Sequence, residues 1–364
     1  MNYREVELLN QKAIAADHTE TIDLDMKDPI SQIQVLYESM DTQADVSKAH
    51  PAACITDLTV KDGSDVLFNL DGFQAQAMDF YHTGHEPSNH IIYLNNMEAK
   101  MMYTLHFGRK LWDPLLALDP SNFSNLQLSI SIDLDAGGNA PDAGTLRAFA
   151  SCFDDKKIEP LGFLTTKEHR TYLGTGATHI KTNLPTDNDY RCLMFRSYRL
   201  SKPPENLFDI IKLDEDNGKK IPFELQNESW EHIISSRWPP YTEKIIHKCR
   251  DNNDDYHHCT PTYWPGLTSN AWLDGENAVQ YMNVYGGDGG EFYSRPNTGH
   301  ALNCSTIVTG HCPHTTLCYP FGDQQDIDDW YSMEKVESLV LDILGKAPGN
   351  GYRYWISSQQ LRRY

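Results

Sequence analysis

One stretch of this chain occurs twice. Ile55-Thr-Asp-Leu58-Thr-Val-Lys-Asp-Gly63-Ser-Asp-Val-Leu-Phe68-Asn-Leu70 and Ile210-Ile-Lys-Leu213-Asp-Glu-Asp-Asn-Gly218-Lys-Lys-Ile-Pro-Phe223-Glu-Leu225 align without a gap at an offset of 155. Ile, Leu, Gly, Phe and Leu fall at matching places. Each copy reads as a hairpin, because Asp62-Gly63 and Asn217-Gly218 accept the positive φ that tight turns require. A short helix is predicted after each hairpin. Asp71 caps the first, with Phe73, Ala77 and Phe80 on one face; Asn227 caps the second, with Trp230 and Ile233/Ile234 on one face.

Two further matches keep the same order. Ser131-Ile-Asp-Leu134-Asp135-Ala-Gly-Gly138-Asn-Ala140-Pro141 resembles Ser338-Leu-Val-Leu341-Asp342-Ile-Leu-Gly345-Lys-Ala347-Pro348 at an offset of 207, and residues 22–39 resemble residues 180–197 at an offset of 158. A duplication explains all three; two unrelated β-domains sharing turn chemistry is the alternative. The growth in offset places about fifty extra residues in the second copy, between the helix ending near Ser236 and the strand near Leu339.

The first copy offers strands near 20–25, 31–40, 54–60, 65–70, 98–107, 109–118, 126–134 and 146–153, with Asp113-Pro114 interrupting the sixth. Eight antiparallel strands in two facing sheets make a jelly roll. The expected fold is therefore all-β: a tandem double jelly roll of two eight-stranded sandwiches, with a helix in each and a loop-rich insertion in the second. The expected borders are an N-terminal arm over 1–18, the first roll over 19–154, a linker over 155–174 with an extra strand near 163–173, and the second roll over 175–364 with its insertion at about 237–300.

A chain of 364 residues, 40% hydrophobic and 23% charged, can fill two such cores. Its formal net charge of -20 repels phosphate backbones, so direct nucleic-acid coating is not expected. The first 28 residues hold Arg4, Lys12 and Lys27 against seven acidic groups, which is not a genome-neutralising arm. Val6, Leu9 and Ala13 would share one face of a short helix there; a flexible arm ordered by a neighbouring subunit is the plainer reading, and contact with a membrane a third. No run is long enough for a transmembrane helix, and residues 1–20 lack the apolar stretch of a signal peptide. Production in a cytosol is expected.

Two jelly rolls in tandem, each with an inserted helix, resemble the major capsid proteins of the double jelly-roll viral lineage, which includes adenoviruses, tectiviruses, corticoviruses and finnlakeviruses. The stretch from Gly63 through Phe80-Tyr81 is similar to the hairpin and helix of tailless, membrane-containing icosahedral phages of the finnlakevirus type. So are His106-Phe-Gly-Arg-Lys-Leu-Trp-Asp-Pro114 and Phe123-Ser-Asn-Leu-Gln-Leu-Ser-Ile-Ser-Ile-Asp133. The resemblance implies a homotrimer whose six rolls form a pseudo-hexagonal tile in an icosahedral shell. Loops at one edge, with the insertion as a tower, would face outwards and the termini inwards. It implies contact with neighbouring capsomers, with penton or minor capsid proteins and with an internal lipid membrane. The implied location is the virion, assembled in host cytoplasm. A carbohydrate-binding or carbohydrate-active double jelly roll, such as a virion spike or a glycan-processing enzyme, is the competing class; a two-cupin enzyme is a third.

The chemistry-bearing clusters do not form a recognised motif. No catalytic, cofactor-binding or metal residue is assigned, and no cofactor is expected. Cys54, Cys152 and Cys192 sit in strand-like runs and read as buried thiols. His247-Lys-Cys249, His257-His258-Cys259, His300, Cys304, His311-Cys312-Pro-His314 and Cys318 lack the tight paired spacing of zinc sites. Isolated thiols in polar loops, a structural Zn²⁺ and a disulfide such as Cys249 with Cys259 all stay open. Tyr285-Gly-Gly-Asp-Gly-Gly290 precedes no Lys-Ser/Thr helix, so it is no phosphate loop. Structural Ca²⁺ at this turn, at Asp251 to Asp255 or at Asp326 to Asp329 competes with plain solvated loops. His82-Thr-Gly-His85-Glu86 is read as a loop following the helix, and no His-x-His occurs to make a cupin site. The aromatic run Trp238, Tyr241, Tyr256, Tyr263, Trp264, Trp272 and Tyr281 reads either as the small core of the insertion or as a recognition surface.

Overall fold

A computed structural model describes residues 1–41, 49–137, 143–249, 254–272, 282–296, 302–346 and 351–364. The first half carries β1 (Tyr3–Ile14), β2 (His18–Asp23), β3 (Ile30–Asp41), β4 (Ile55–Asp62), β5 (Asp65–Leu70), α1 (Gly72–Thr83), β6 (Ile91–Tyr93), β7 (Met97–His106), β8 (Leu126–Ile132) and β9 (Ala143–Phe153). The second carries β10 (Gly162–Leu173), β11 (His179–Leu184), β12 (Asp189–Tyr198), β13 (Phe208–Glu215), β14 (Lys220–Gln226) and α2 (Asn227–Arg237). The insertion follows, with β15 (Tyr241–Cys249), β16 (Asp255–His258), β17 (Pro261–Trp272), β18 (Met282–Gly286), β19 (Glu291–Pro296) and β20 (Leu302–Pro313). The chain then returns through β21 (Thr316–Pro320), β22 (Leu339–Gly345) and β23 (Arg353–Arg363).

Set β6 and the insertion aside and each half has eight strands in the same weave. The first roll faces a β1-β9-β3-β7 sheet against β2-β8-β4-β5; the second faces β10-β23-β12-β21 against β11-β22-β13-β14. In both, the first strand pairs with the last and the fourth with the fifth, as a jelly roll demands. The rolls are fused edge to edge, because β5 runs parallel to β10 through Thr166↔Phe68 and Lys167↔Asn69. That seam turns two four-stranded sheets into one of eight strands. Arg362 clamps it with two bonds to the Asp65 carboxylate, at 2.9 and 2.5 Å, and the Thr165 hydroxyl donates to the Leu67 carbonyl at 2.6 Å. One continuous apolar core runs through both rolls and into the insertion. Sealing two sheet edges in this way removes the liability that unpaired edges carry.

Several borders differ from the sequence expectation. Residues 1–18 are not an arm: β1 is the first strand of the first roll and pairs with β9 from Tyr3↔Phe153 to Ile14↔Gly144. Its register shifts twice, between Glu7 and Leu9 and between Leu9 and Lys12. Such shifts insert residues into a period-2 strand, which is why Val6, Leu9 and Ala13 mimic a helical face. Residues 109–118 are not a strand either. Trp112 adopts φ 62°, the buried Asp113 carboxylate takes the Arg109 side chain and the Leu115 amide, and only isolated bridges form at Leu116 and Leu118. Losing one strand and gaining β1 keeps the count at eight. Likewise, the strand near 163–173 is no linker but β10, the first strand of the second roll.

Of the two repeated hairpins, β4–β5 and β13–β14, the second strands keep the 155 offset but the pairing does not: Leu58 faces Leu70, whereas Leu213 faces Phe223. Their turns centre on Gly63-Ser64 and on Asp216-Asn217-Gly218, with Gly63 at φ 59° and Gly218 at φ 89°. The 207 offset does not survive as a register. The strand that precedes the matched loop in the first roll is β8, whereas β22 lies inside the matched stretch. Asp135 follows β8, whereas its match Asp342 lies within β22; the Ala-Pro pairs of both copies lie outside the described residues.

Candidate functional site

The feature that sets this fold apart is the junction of the two rolls with the insertion. In each roll the chain leaves the fifth strand through a helix. In the first roll it returns through residues 84–96 to β7; in the second it makes the whole β15–β20 tower before β21. The tower therefore spans 241–313, beyond the expected end near 300, because its last strand β20 runs back to the wall. The two connections meet: β6 of the first roll pairs parallel with β15 through Ile91, Ile92 and Tyr93, completing the β17-β20-β15-β6 sheet. A smaller β16-β19-β18 sheet belongs to the same tower. Met1 and Arg363 lie by the ends of β1 and β10 that start the rolls, whereas the tower rises where β12 ends at Tyr198 and β23 begins at Arg353. Termini and tower thus stand at opposite ends of the wall.

Helix α1 is built to hold this root. Asp71 caps it in a full capping box, accepting from the Gln74 amide at 2.7 Å while Gln74 Oε1 accepts from the Asp71 amide at 3.0 Å. The other Asp71 oxygen takes Arg196 Nη1 at 3.2 Å. Arg196 is 3% exposed; it also donates to the His314 carbonyl at 3.1 Å and lies over Phe73 and Trp355, 4.4 and 4.3 Å from the ring centres. Further along, Tyr81 donates to the Thr316 carbonyl at 2.6 Å, and Trp238 Nε1 donates to the Tyr81 carbonyl at 3.0 Å. Gln76 bonds His314 Nε2 at 2.9 Å. One helix of the first roll thereby grips the second roll and the tower together.

A polar chain crosses the root. His50 Nδ1 accepts from the Ala52 amide at 3.1 Å, so Nε2 carries the proton toward Thr260 Oγ1 at 3.2 Å. Thr260 donates onward to Glu243 at 2.8 Å. Burial pushes the Glu243 carboxyl up to about 7 and the His50 imidazole down to about 3, the latter helped by nearby His258. A His-Thr-Glu relay has the parts of general acid–base catalysis. The cavity at its His50 end holds about 190 Å³, lined by His50, Phe73, Arg196, Tyr198, His258 and His314, below the roughly 300 Å³ at which ligand pockets begin; the one at its Glu243 end holds about 390 Å³, lined by Glu86, His90, Tyr241 and Glu243. The network ties the tower to the first roll and serves as the tower's footing.

The other sequence candidates disperse. All eight cysteines are buried and none is in a disulfide. Cys249 lies beside Cys304 rather than Cys259, whose thiol faces the Pro261 carbonyl at 3.5 Å. His82 belongs to the last turn of α1, not to a loop, and stacks on His106 at 4.0 Å. The glycine-rich turn is packed, since a Cβ on Gly289 would meet the Lys202 backbone at 2.2 Å. Asp326 and Asp329 serve turns, accepting from the Asp328 and Asp323 amides. Tyr241 is core, while Trp264 is 74% exposed and Tyr256 45%. Asp251, Tyr281 and His300 lie outside the described residues. Among the described residues no three Cys, His, Asp or Glu side chains converge as metal ligands, and no helix is long and apolar enough to cross a membrane. Asn227 does not cap α2: Gln226 holds that position without a side-chain bond. His258 and His314 stood among the sequence candidates, but His50 and Arg196 did not, because the four share no spacing signal that would join them.

The architecture is a tandem double jelly roll, and it is shared with major capsid proteins of known structure. The chain is similar to the major capsid protein P2 of bacteriophage PM2, with TM-score 0.53, 11% identity, 99% of this chain and 98% of that one covered. It is similar to the STIV major capsid protein, with TM-score 0.60, 10% identity, 98% and 96% covered. It is also similar to a chain of the PBCV-1 virus capsid, with TM-score 0.52, 10% identity, 99% and 93% covered. No protein-family model and no curated protein matches the sequence.

Proposed function

We propose that this chain is a major capsid protein that forms homotrimeric, pseudo-hexagonal capsomers of an icosahedral viral shell. The observation that carries the reading is the fusion of two complete rolls through one eight-stranded sheet, with the tower at one end and both termini at the other. Such a body is a stiff wall block with an outside and an inside. Three copies supply six similar rolls around one axis, and closed symmetry of this kind suits a tile. The likeness to capsid proteins along the full chain supports the same reading.

The role is structural rather than catalytic, and its place is the virion after assembly in host cytoplasm. Partners are further copies, neighbouring capsomers and the penton or minor proteins that close the vertices. The net charge of -20 disfavours the genome as a direct contact, which fits a lipid membrane between shell and genome, as in tailless membrane-containing phages. Light scattering after size exclusion tests the core of this proposal: a stable mass of three chains is expected. A chain that stays monomeric at micromolar concentration, and is absent from particles of its native source by electron microscopy, overturns it.

A further inference from the structure

Strands β6 and β15 pair in parallel only from Ile91 and Ile245 onward. Before that point the two segments part, and the crevice between them is the cavity of about 390 Å³. It exceeds the roughly 300 Å³ at which ligand pockets begin. Pro87, Ile91, Ile92 and Ile246 supply apolar wall, and Glu86 and Glu243 supply carboxylates. Glu243 is half-buried and leans on Thr260, accepting from its amide at 2.6 Å and from its hydroxyl at 2.8 Å. Glu86 accepts from the Thr242 amide at 2.8 Å, which ties the two segments together. All three donors are neutral. Lys244 lines the crevice too, yet among the described residues neither carboxylate is ion-paired with it or with any other cation. Carboxylates turned into a half-apolar crevice without a cation leave room for one from outside.

We propose that this crevice binds a small aliphatic amine, with its ammonium between Glu243 and Glu86 and its hydrocarbon stem against Ile91, Ile92 and Ile246. A bare metal ion suits the place less, because no three carboxylate, imidazole or thiol groups converge there among the described residues. A sugar suits it less as well. Sugar sites offer an exposed aromatic face, and the one phenol or indole of this wall, Tyr241, is 1% exposed. The crevice lies where the connection of the first roll joins the tower. An occupant that bridges Glu86 and Glu243 therefore fastens that joint.

The charge on Glu243 decides the affinity. Burial raises its carboxyl to about 7, so it is mostly protonated near pH 6 and mostly ionised near pH 8. An ammonium prefers the ionised form. Affinity should rise about tenfold between those two values, with a proton released as the amine binds. The other groups around Glu243 are Glu86 and His90 from the connection of the first roll, and Tyr93, Tyr241 and Lys244 from the paired strands. His50, His258 and Cys259 lie on the Thr260 side. Burial holds His50 down to about 3 and holds Tyr93, Tyr241 and Cys259 well above their ordinary values, so these four keep one charge state throughout.

The test titrates putrescine (1,4-diaminobutane) into the full chain by calorimetry, in about 0.15 M salt. That salt screens the loose attraction of a chain of net charge -20 for any cation. One site per chain is expected, with the tenfold pH dependence, a thermal midpoint that rises with putrescine, and no response to 1,4-butanediol. Glu243→Gln should weaken binding near pH 8 by about tenfold or more and flatten the profile. Glu86→Gln should weaken binding and keep the profile, and His90→Gln should leave the profile in place. The wild-type pH series and the diol control need no variant, so a misfolded Glu243→Gln leaves the test intact. Binding that is absent at about 10 mM, that is independent of pH or that the diol shares overturns the proposal. Displacement of putrescine by stoichiometric Mg²⁺ or Ca²⁺ overturns it in favour of an ion site. Putrescine bound by dispersed chains but excluded from trimers overturns it in favour of a side chain from a second copy. The amine readouts are taken per chain and hold for monomer or trimer, so the capsid reading stands or falls separately.

Discussion

Helices α1 and α2 sit at the same point of two copies of one fold, and they are held in opposite ways. Helix α1 has a complete capping box, and most of its buried polar atoms are matched: Asp79 pairs with His106 at 2.7 Å, and Gln76 bonds His314, Asn89 and the Met102 carbonyl, which leaves Gln74 Nε2 and His82 Nε2 without a bond. Helix α2 has no side-chain cap. It buries Asn227 and Glu231 with no hydrogen-bond partner for any of their side-chain oxygen or nitrogen atoms. The polar residues of α1 have become connectors to the second roll and the tower. On α2 only Trp230 reaches out in this way, donating to the Cys318 carbonyl, while Asn227 and Glu231 stay unmatched. Duplication preserved the path of the backbone, while the side chains diverged according to what each helix must hold.

The largest expected effect lies on the well-matched side. Asp71→Ala removes the cap of α1 and strips the buried Arg196 of its carboxylate partner at once. Breaking a buried ion pair by deleting one member costs about 3–5 kcal/mol, with the cap contributing about 1 of it. Gln226→Ala, at the equivalent position of α2, should cost less than about 0.5 kcal/mol, because no bond is lost. Urea denaturation of the two variants side by side measures the contrast; equal losses would break it.

The second expected effect has the opposite sign. Burial, reinforced by the nearby Glu205 and Glu228 carboxylates, pushes the Glu231 carboxyl up to about 9. A carboxyl raised on folding binds its proton more tightly in the folded state than in the unfolded one. Stability is therefore full below about pH 4.5 and falls as pH rises toward 9, by about 1.4 kcal/mol per unit. Glu231→Gln keeps the shape and abolishes the titration. It should change little near pH 4.5 and gain roughly 2–4 kcal/mol at pH 7.5. Stability curves for wild type and variant that run parallel between those pH values would show that Glu231 is charged and solvated after all.

The same contrast marks what the sequence made legible. The hairpin and helix of each copy were readable because Gly63, Gly218 and the apolar spacing around Phe80 and Trp230 are local signals. Strand β1 was not, since its two register shifts disguise period 2 as a helical face. Residues 109–118 looked like a strand because their apolar content serves an irregular packed loop held by Asp113. The footing of the tower was invisible for a different reason. His50, Glu243, Thr260 and His314 come from four distant segments, and their hydrogen bonds exist only once two connections of different rolls have met. Neither spacing nor composition encodes such a meeting.

The smallest expected effect concerns what the copies still share. Gly63 and Gly218 both adopt left-handed φ, at 59° and 89°. A Cβ built on either meets nothing within 4 Å. Substitution by alanine therefore tests the backbone alone, without a packing penalty to confuse it. Forcing an L-residue into that region costs about 1 kcal/mol, so Gly63→Ala and Gly218→Ala should each lose about that much, measured by the same urea midpoints. The two hairpins would then respond alike while the helices that follow them respond oppositely. A Gly218→Ala variant as stable as wild type would mean that the longer Asp216-Asn217-Gly218 turn rearranges to another conformation. In that case the second roll has drifted from the first in its turn as well as in its helix.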